Sequence, residues 1–564
     1  MIRSKSAVLL CLVFAVVASC DGSPSLVEQQ FPVEDELAAA AAEANAAGAT
    51  PIRVDPRKDV RMAPVPSTPG YSLRAMGVVE IDNDRQFVGG AIRGGDGTAQ
   101  RPYEISSLML NGSFPFCLSN TVLSHLIRIR NTTKHFVIRN NYFACAETAI
   151  ELQNVQNATI ENNVITAMVG KTGMMGGANG TPGRGIHVTG AQSRNIVIKN
   201  NAISFVYGGA GGAPTTNGVG FGKTANGGTG GDAAAIDLEG AQDVSLEGDN
   251  RIVFIYGGAG GAGGAGILGE GALRPETKGG NAGAGGSSVG LRAVNSRRVR
   301  VAGGRIEMIY AGAGGAGGAG AFDGGRGGDG GAVGLAAGLL FRAGNDFTVT
   351  GAQVSAVWGG ASGIGGAGAL GSLEHGGDAG RSFSGGSAYG LLFQLDGAER
   401  VRIALRANRL GSLRAGAGAA GAAGGAQLVG AMPMGAGGHG AAGGAGGEAS
   451  AVAFDARADG ASRTGVAVDL SATENAIDGV WGAAGGASGI GGLPFADATV
   501  LPGGAGGSAA AFSGRGVVLA DVQGLERNNS ATALHAGLGG LGNRNGPSPA
   551  NNGRPGSAEL TQLK

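Results

Sequence analysis

The chain has 564 residues, 116 of them glycine, and its 42 Lys+Arg are balanced by 42 Asp+Glu. A zero balance argues against nucleic acid or an anionic membrane surface as the main partner. With 43% hydrophobic and only 15% charged residues the chain is not disordered as a whole, and 18 prolines are too few for collagen.

The first residues read as an export signal. Arg3 and Lys5 precede an apolar run, Ala7–Ala18, that is too short to span a bilayer comfortably. It ends in V-A-S-C (Val17–Cys20), which resembles the bacterial lipobox. That resemblance implies removal of the leader and lipidation of Cys20, hence a bacterial cell-envelope protein anchored by lipid, at the outer membrane on its periplasmic or exposed face. The alternative is an ordinary secretory signal with a chance cysteine. No later segment reads as transmembrane. Cys11 lies in the leader, so Cys117 and Cys145 remain as a pair, suited to a disulfide in an exported protein or else to two buried thiols.

Residues 21–76 hold seven of the prolines, an alanine run (Ala38–Ala42) and almost no glycine. They read as a mostly disordered tether with a short helix around Glu34–Ala47, reaching on the order of 40 Å as a flexible coil.

From residue 77 the chain repeats. Short alternating strands end in paired asparagines: HFVIRNN (His135–Asn141), ATIENN (Ala158–Asn163) and IVIKNN (Ile196–Asn201), followed by SLEGDN (Ser245–Asn250). The register continues from Asn141, Asn163, Asn201 and Asn250 through Gly304, Ala352, Ala407, Asn475 and Asn529. A large or apolar residue stands six places after each: Val169, Tyr207, Tyr256, Tyr310, Trp358, Leu413, Trp481 and His535 after the second to the ninth. The shortest spacing, 22 residues between Asn141 and Asn163, suits one coil of three short strands and three turns, and the longer spacings imply inserts. The pattern in GIHVTGAQSRNIVIKNNAIS (Gly185–Ser204) resembles the right-handed parallel β-helix of pectate-lyase-like proteins, and GGDGTAQRPYEIS (Gly94–Ser106) resembles the entry segment of NosD-like exported β-helices. The expectation is therefore an all-β protein: a right-handed parallel β-helix of about nine or more coils over 77–542, with 543–564 as a tail or cap.

Alternation directs Val137, Ile160, Ile198 and Leu246, or their immediate neighbours, into the core. Asparagines stacked at a turn can exchange amide hydrogen bonds between coils and tolerate left-handed backbone. Arg139, Glu161, Lys199 and Glu247, just before them, alternate in sign and read as a surface ion-pair ladder.

From about residue 170 the inserts enter Gly-Gly-Ala runs such as Gly257–Gly266, Ala311–Gly320 and Gly359–Gly368, and return through a second glycine-rich run such as Gly279–Gly286. A period of three matches an extended helix of the polyglycine II kind. Each insert starts from a stacked coil, so the expected arrangement is hairpins packed side by side into a slab beside the β-helix. This resembles the polyglycine bundles of snow-flea antifreeze proteins and some phage fibre tips, and the composition resembles mycobacterial glycine-rich repeat proteins. Flexible loops are the alternative.

Motifs for chemistry are weak. GSSVG (Gly286–Gly290) formally matches a nucleophile elbow around Ser288, but it lies in a loop entering a strand rather than at a strand–turn–helix corner. GAGGAG (Gly258–Gly263) lacks the helix that a dinucleotide site needs. Asp232 and Asp329 end GGTGGD and GGRGGD, which resemble the start of calcium-binding nonapeptides, but the copies are not in tandem. No pair of histidines has metal-ligand spacing, and no metal or cofactor is expected.

The strongest candidate comes from aligning the other strand, IEL, IHV, IDL and LRA. It places Glu151, His187, Asp237 and Arg292 outward on successive coils as a catalytic or sugar-binding column, or as another mixed-charge ladder. The resulting expectation is a non-enzymatic structural or adhesive lipoprotein that presents a rigid β-helix and glycine-rich slab to polysaccharide or neighbouring surface proteins. The alternative is a polysaccharide lyase or glycoside hydrolase, which this fold commonly hosts.

Overall fold

The computed structural model describes residues 74–563, apart from 113–121, 215–225, 267–277, 322–323, 371–375, 396–399, 427–437, 459–460, 463–465, 489–502, 516, 524–528 and 540–553. The leader, the tether up to residue 73, Cys20 and Cys117 lie outside the described residues. All described residues belong to one compact unit, Ser67–Lys564.

The unit is a parallel β-helix, as the repeat predicts. The strands of successive coils pair in parallel with their equivalents one coil earlier and one coil later, in three stacks; the antiparallel pairs among the described residues are Ile92–Gly94 with Tyr103–Ser106 and Arg457–Ala458 with Ala461–Ser462. The first contains Gly183–Thr189, Ala233–Glu239 and Ser288–Val294. The second contains Arg194–Lys199, Gln242–Glu247 and Arg297–Ala302. The third contains Ala202–Tyr207, Arg251–Tyr256 and Arg305–Tyr310. Pairing runs from Arg74–Met76 to Ala558–Leu563. The single helix among the described residues is a 3-10 turn, Asp84–Gln86.

Alternation fills the interior. Ile138, Ile160, Ile198 and Leu246 point inward in the second stack, Ile138 taking the place of its neighbour Val137. Ile150, Ile186, Ile236, Leu291, Leu339 and Leu391 form one continuous column in the first stack. All are fully buried, each contributing roughly 1.5–3 kcal/mol by the usual transfer scale. Toward the C-terminal coils Phe341, Phe393 and Phe454 stack at ring separations of 5.0 and 5.4 Å.

The paired asparagines divide the work. The first of each pair, Asn140, Asn162 or Asn200, takes positive φ. The second is buried and forms a ladder: Asn141 Nδ2 donates to Asn163 Oδ1 (3.1 Å), Asn163 to Asn201 (3.0 Å) and Asn201 to Asn250 (3.3 Å). The ladder lapses at Gly304 and Ala352, then resumes through Asn408, Asn475 and Asn529. Here one register position is corrected. Ala407 carries the positive φ, and the buried ladder residue is Asn408, one place later. Arg414, not Leu413, therefore stands between Trp358 and Trp481, and Leu413 points into the core beside Val357.

The described parts of the inserts form two layers joined by backbone hydrogen bonds with a period of three. Outgoing arms bond to the next outgoing arm, as Gly257 N to Tyr310 O (2.9 Å), Gly260 N to Ala313 O (2.9 Å) and Gly263 N to Ala316 O (2.8 Å). Returning arms bond to one another, as Gly230 N to Ala284 O (2.8 Å) and Gly285 N to Ala332 O (2.9 Å). The layers are joined by Gly258 N to Gly231 O (2.9 Å) and Gly286 N to Gly258 O (2.7 Å). Glycine is required because the backbones themselves touch: a methyl on Gly261 would run into the carbonyl oxygen of Gly212 on the preceding outgoing arm, and one on Gly260 into that of Gly283 in the returning layer. The arms leave the coils at a column of stacked rings, with Tyr207–Tyr256, Tyr256–Tyr310 and Tyr310–Trp358 at 5.1, 4.8 and 4.5 Å.

Candidate functional site

Parallel pairing places Glu151, His187, Asp237 and Arg292 in direct register on the outer face of the first stack, one per coil. The column is longer than the motif comparison suggests. Glu80 and Arg128 precede Glu151, and Leu340, Leu392 and Ala453 follow Arg292. It changes from alternating charge to apolar along its length.

Asp237 is the centre of the charged part. Its side chain is fully buried, and both its oxygens are occupied. Arg292 binds it in bidentate fashion, Nε to Oδ1 at 2.8 Å and Nη2 to Oδ2 at 2.7 Å. Arg184, from the preceding coil, donates Nε to Oδ2 at 2.8 Å. Burial by itself would raise the Asp237 carboxyl, but the hydrogen bonds and charge of Arg292, with His187 and Arg184, hold it below the ordinary carboxylate range. Arg292 also reaches Glu239 Oε1 (3.2 Å) and Asp232 Oδ2 (3.4 Å). The His187 ring stands beside this network. Its Nε2 is buried, makes no hydrogen bond, and lies 3.9 Å from both Asp237 Oδ2 and Glu239 Oε1. Glu151 faces His125 instead, Oε2 to Nδ1 at 3.8 Å.

A cavity of about 200 Å³ adjoins the cluster. Its floor includes Val289, Leu335 and Leu340, and Arg184, Asp232, Arg292, Arg342 and Gln394 supply polar groups. This outer face also carries a second buried apolar cluster, Val289, Ala337, Leu340, Leu392 and Ala453.

The arrangement limits the chemistry. A general base needs a carboxylate or imidazole that can take a proton from substrate. Asp237 is committed to two guanidinium groups. His187, Asp237 and Glu239 bring potential ligand atoms within 4.8 Å of one another, the one such group among the described residues. The two arginines already supply the positive charge there, and a cation would have to displace them from Asp237.

The remaining candidates make the following contacts. Asp232 Oδ1 accepts from Ser287 N (2.8 Å) and Asp329 Oδ1 from Arg381 N (2.9 Å), each tying a returning arm to the next. Ser288 is fully buried, and its Oγ meets no hydrogen-bonding partner, base included. Cys145 is disulfide-bonded. In the second stack Glu161 lies between Lys199 (2.8 Å) and Arg139 (3.8 Å) as the ladder reading expects, and Glu104 extends it by pairing with Arg139 at 2.8 Å.

Motif comparison misses Arg184 and Glu239. Both are visible in the same aligned strands, three residues before His187 and two after Asp237, once neighbouring columns are read together. Comparison of the chain with known protein families, with curated proteins and with solved structures gave no match.

Proposed function

We propose that this chain is a non-enzymatic protein of the bacterial cell envelope, anchored by lipid at Cys20, with a structural or adhesive role. A right-handed β-helix serves as a rigid mast, and the glycine-rich inserts form a slab of polyglycine II type held out to polysaccharide or neighbouring surface proteins. The observation that carries this reading is the commitment of Asp237: the best-placed carboxylate of the outer column is buried and gripped by Arg184 and Arg292. Fold by itself does not decide between the two roles.

A second reading, a polysaccharide lyase or glycoside hydrolase, draws support from the cavity beside the column and from the unbonded His187 Nε2. One screen separates them: soluble protein lacking residues 1–20 is tested for retention on, and turnover of, a panel of acidic and neutral polysaccharides. New reducing ends or unsaturated products that Asp237→Asn abolishes would establish the enzyme. Retention without products supports a glycan-binding surface protein, and the absence of both retention and products supports structural assembly.

A further inference from the structure

The two faces of the glycine-rich slab are chemically different. In the outgoing layer every third residue points outward, and these positions are apolar apart from Thr172 on the first arm. Along one arm they are Ala313, Ala316 and Ala319; along the next, Ala361, Ile364, Ala367 and Leu370. The intervening glycines at 312, 315 and 318 are buried, whereas Ala316 and Ala319 are exposed, and Ile364 and Leu370 stand 50% and 45% exposed. Further arms continue the rows with Ala417, Ala420 and Ala423. Among the described residues the rows beyond the ring column carry no charged side chain. In the returning layer the equivalent positions mix alanines such as Ala284, Ala332 and Ala505 with polar and charged residues, Asn281, Arg326, Asp329, Asp378, Arg381 and His439 among them.

A two-layer slab with water on both sides would gain solubility from polar residues on both. The lack of charge on one side, together with its larger exposed apolar residues Ile364 and Leu370, marks that side for contact. Its extent fits a protein interface. Eight arms spaced ~4.8 Å apart, with rows running ~28 Å along them, give a flat face on the order of 900 Å², against about 800 Å² per partner in a standard interface. That exceeds the apolar patch an ordinary monomer leaves open, roughly 300–600 Å².

We propose that this face is the contact surface for a second copy of the chain, packed slab to slab. The methyl rows are separated by grooves of bare glycine backbone at a repeat of ~9.3 Å, so a matching surface needs rows at the same repeat. A second copy carries that repeat by construction, and a two-fold axis would seat the rows of each copy in the grooves of the other. Sugar rings are the poorer fit, because the bordering aromatic rings spend their faces on one another at 4.5–5.1 Å. Bilayers are poorer too, since among the described residues no fringe of basic groups surrounds the rows. Pairing turns both polar faces outward. The proposal does not depend on the adhesive reading and survives its failure.

Sedimentation velocity on the full chain in mild detergent tests it, with thermal transitions confirming that each variant folds. The wild type is expected as a dimer. Ala316→Asp, in the middle of the face, should weaken the dimer by roughly tenfold or more, and Ile364→Asp repeats the test at a second position. Ala332→Asp places the same charge on the exposed opposite face and should leave the dimer intact. A monomeric wild type, or a dimer indifferent to both Ala316→Asp and Ile364→Asp, overturns the proposal. So does a monomer whose apolar face instead captures phosphatidylcholine vesicles.

Discussion

Arg292 meets Asp237 edge to edge across one coil spacing, Nε on Oδ1 at 2.8 Å and Nη2 on Oδ2 at 2.7 Å, with the carboxylate fully buried. A pair of this kind is worth little against a well-packed apolar substitute, but removing one partner strands the other's charge. Asp237→Asn should therefore destabilise the β-helix by about 3–5 kcal/mol, lowering the denaturation midpoint. An unchanged midpoint would mean that water reaches the site and the clamp holds nothing.

The same carboxylate governs an acid transition. Its folded pKa lies below its unfolded one, burial being outweighed by Arg292, His187 and Arg184. Its contribution is thus fully present above the ordinary carboxylate range, about pH 4, and is lost as pH falls through the lowered folded value. Wild-type stability should fall steeply below about pH 4, and the Asp237→Asn protein should show a shallower acid limb. Denaturant titrations across that range would check this, and parallel acid limbs in the two proteins would contradict it.

How far this was legible in the residues depends on what each position must do. The coil register could be read wherever the ladder uses asparagine, because its short amide both donates and accepts along a buried column and so recurs at the same place in successive coils. It slipped by one at Ala407 because the preceding positions, Gly304 and Ala352, had lost that amide and left only spacing to follow. Glu151, His187, Asp237 and Arg292 could be aligned because strand alternation is strict. That Asp237 is clamped could not, since Arg184 belongs to a neighbouring column on a different coil. The period of three in the inserts was plain, whereas the assignment of apolar and polar faces needed the pairing between arms.

Asn201 offers a direct test of the ladder. Its amide donates to Asn250 Oδ1 and to the Ile160 carbonyl (2.9 Å), and its oxygen accepts from the Asn163 side chain and backbone. Asn201→Ala takes away the partner of the buried Asn163 backbone N–H and of the Ile160 carbonyl on the preceding coil, at about 1–3 kcal/mol for each group stranded. Hydrogen exchange should rise first at Asn163 and its neighbours. Protection equal to wild type there would show that the amides are ornamental to stability.

The slab makes a steric prediction. Gly261→Ala drives a methyl into the Gly212 carbonyl, and the backbone cannot yield without breaking the Gly261 N to Gly228 O bond (2.8 Å). Overpacking of this kind costs about 1–3 kcal/mol. A methyl on Gly94 meets nothing within 4 Å, so Gly94→Ala is the control. Equal melting of the two variants would mean that the arms are not closely packed.

The ring column predicts an alkaline limit. Burial raises the Tyr256 phenol to about 12, and Tyr207 and Tyr310 are raised by burial and then by the neighbouring Tyr256. Each phenol is thus neutral in the folded chain well past its unfolded value near 10. A raised folded pKa stabilises fully below the unfolded value, and the contribution is lost as pH climbs through the folded one. Folded protein should therefore keep these three phenols protonated above about pH 10 and release them together when the column unfolds. Tyr256→Leu removes the middle ring, and with it the 5.1 and 4.8 Å contacts, so its alkaline midpoint should come at lower pH than wild type. Phenolate absorbance and circular dichroism followed in one titration would decide. Smooth ionisation near pH 10 with the fold intact would mean that water reaches the rings, and the column would then be no seal between coil and slab.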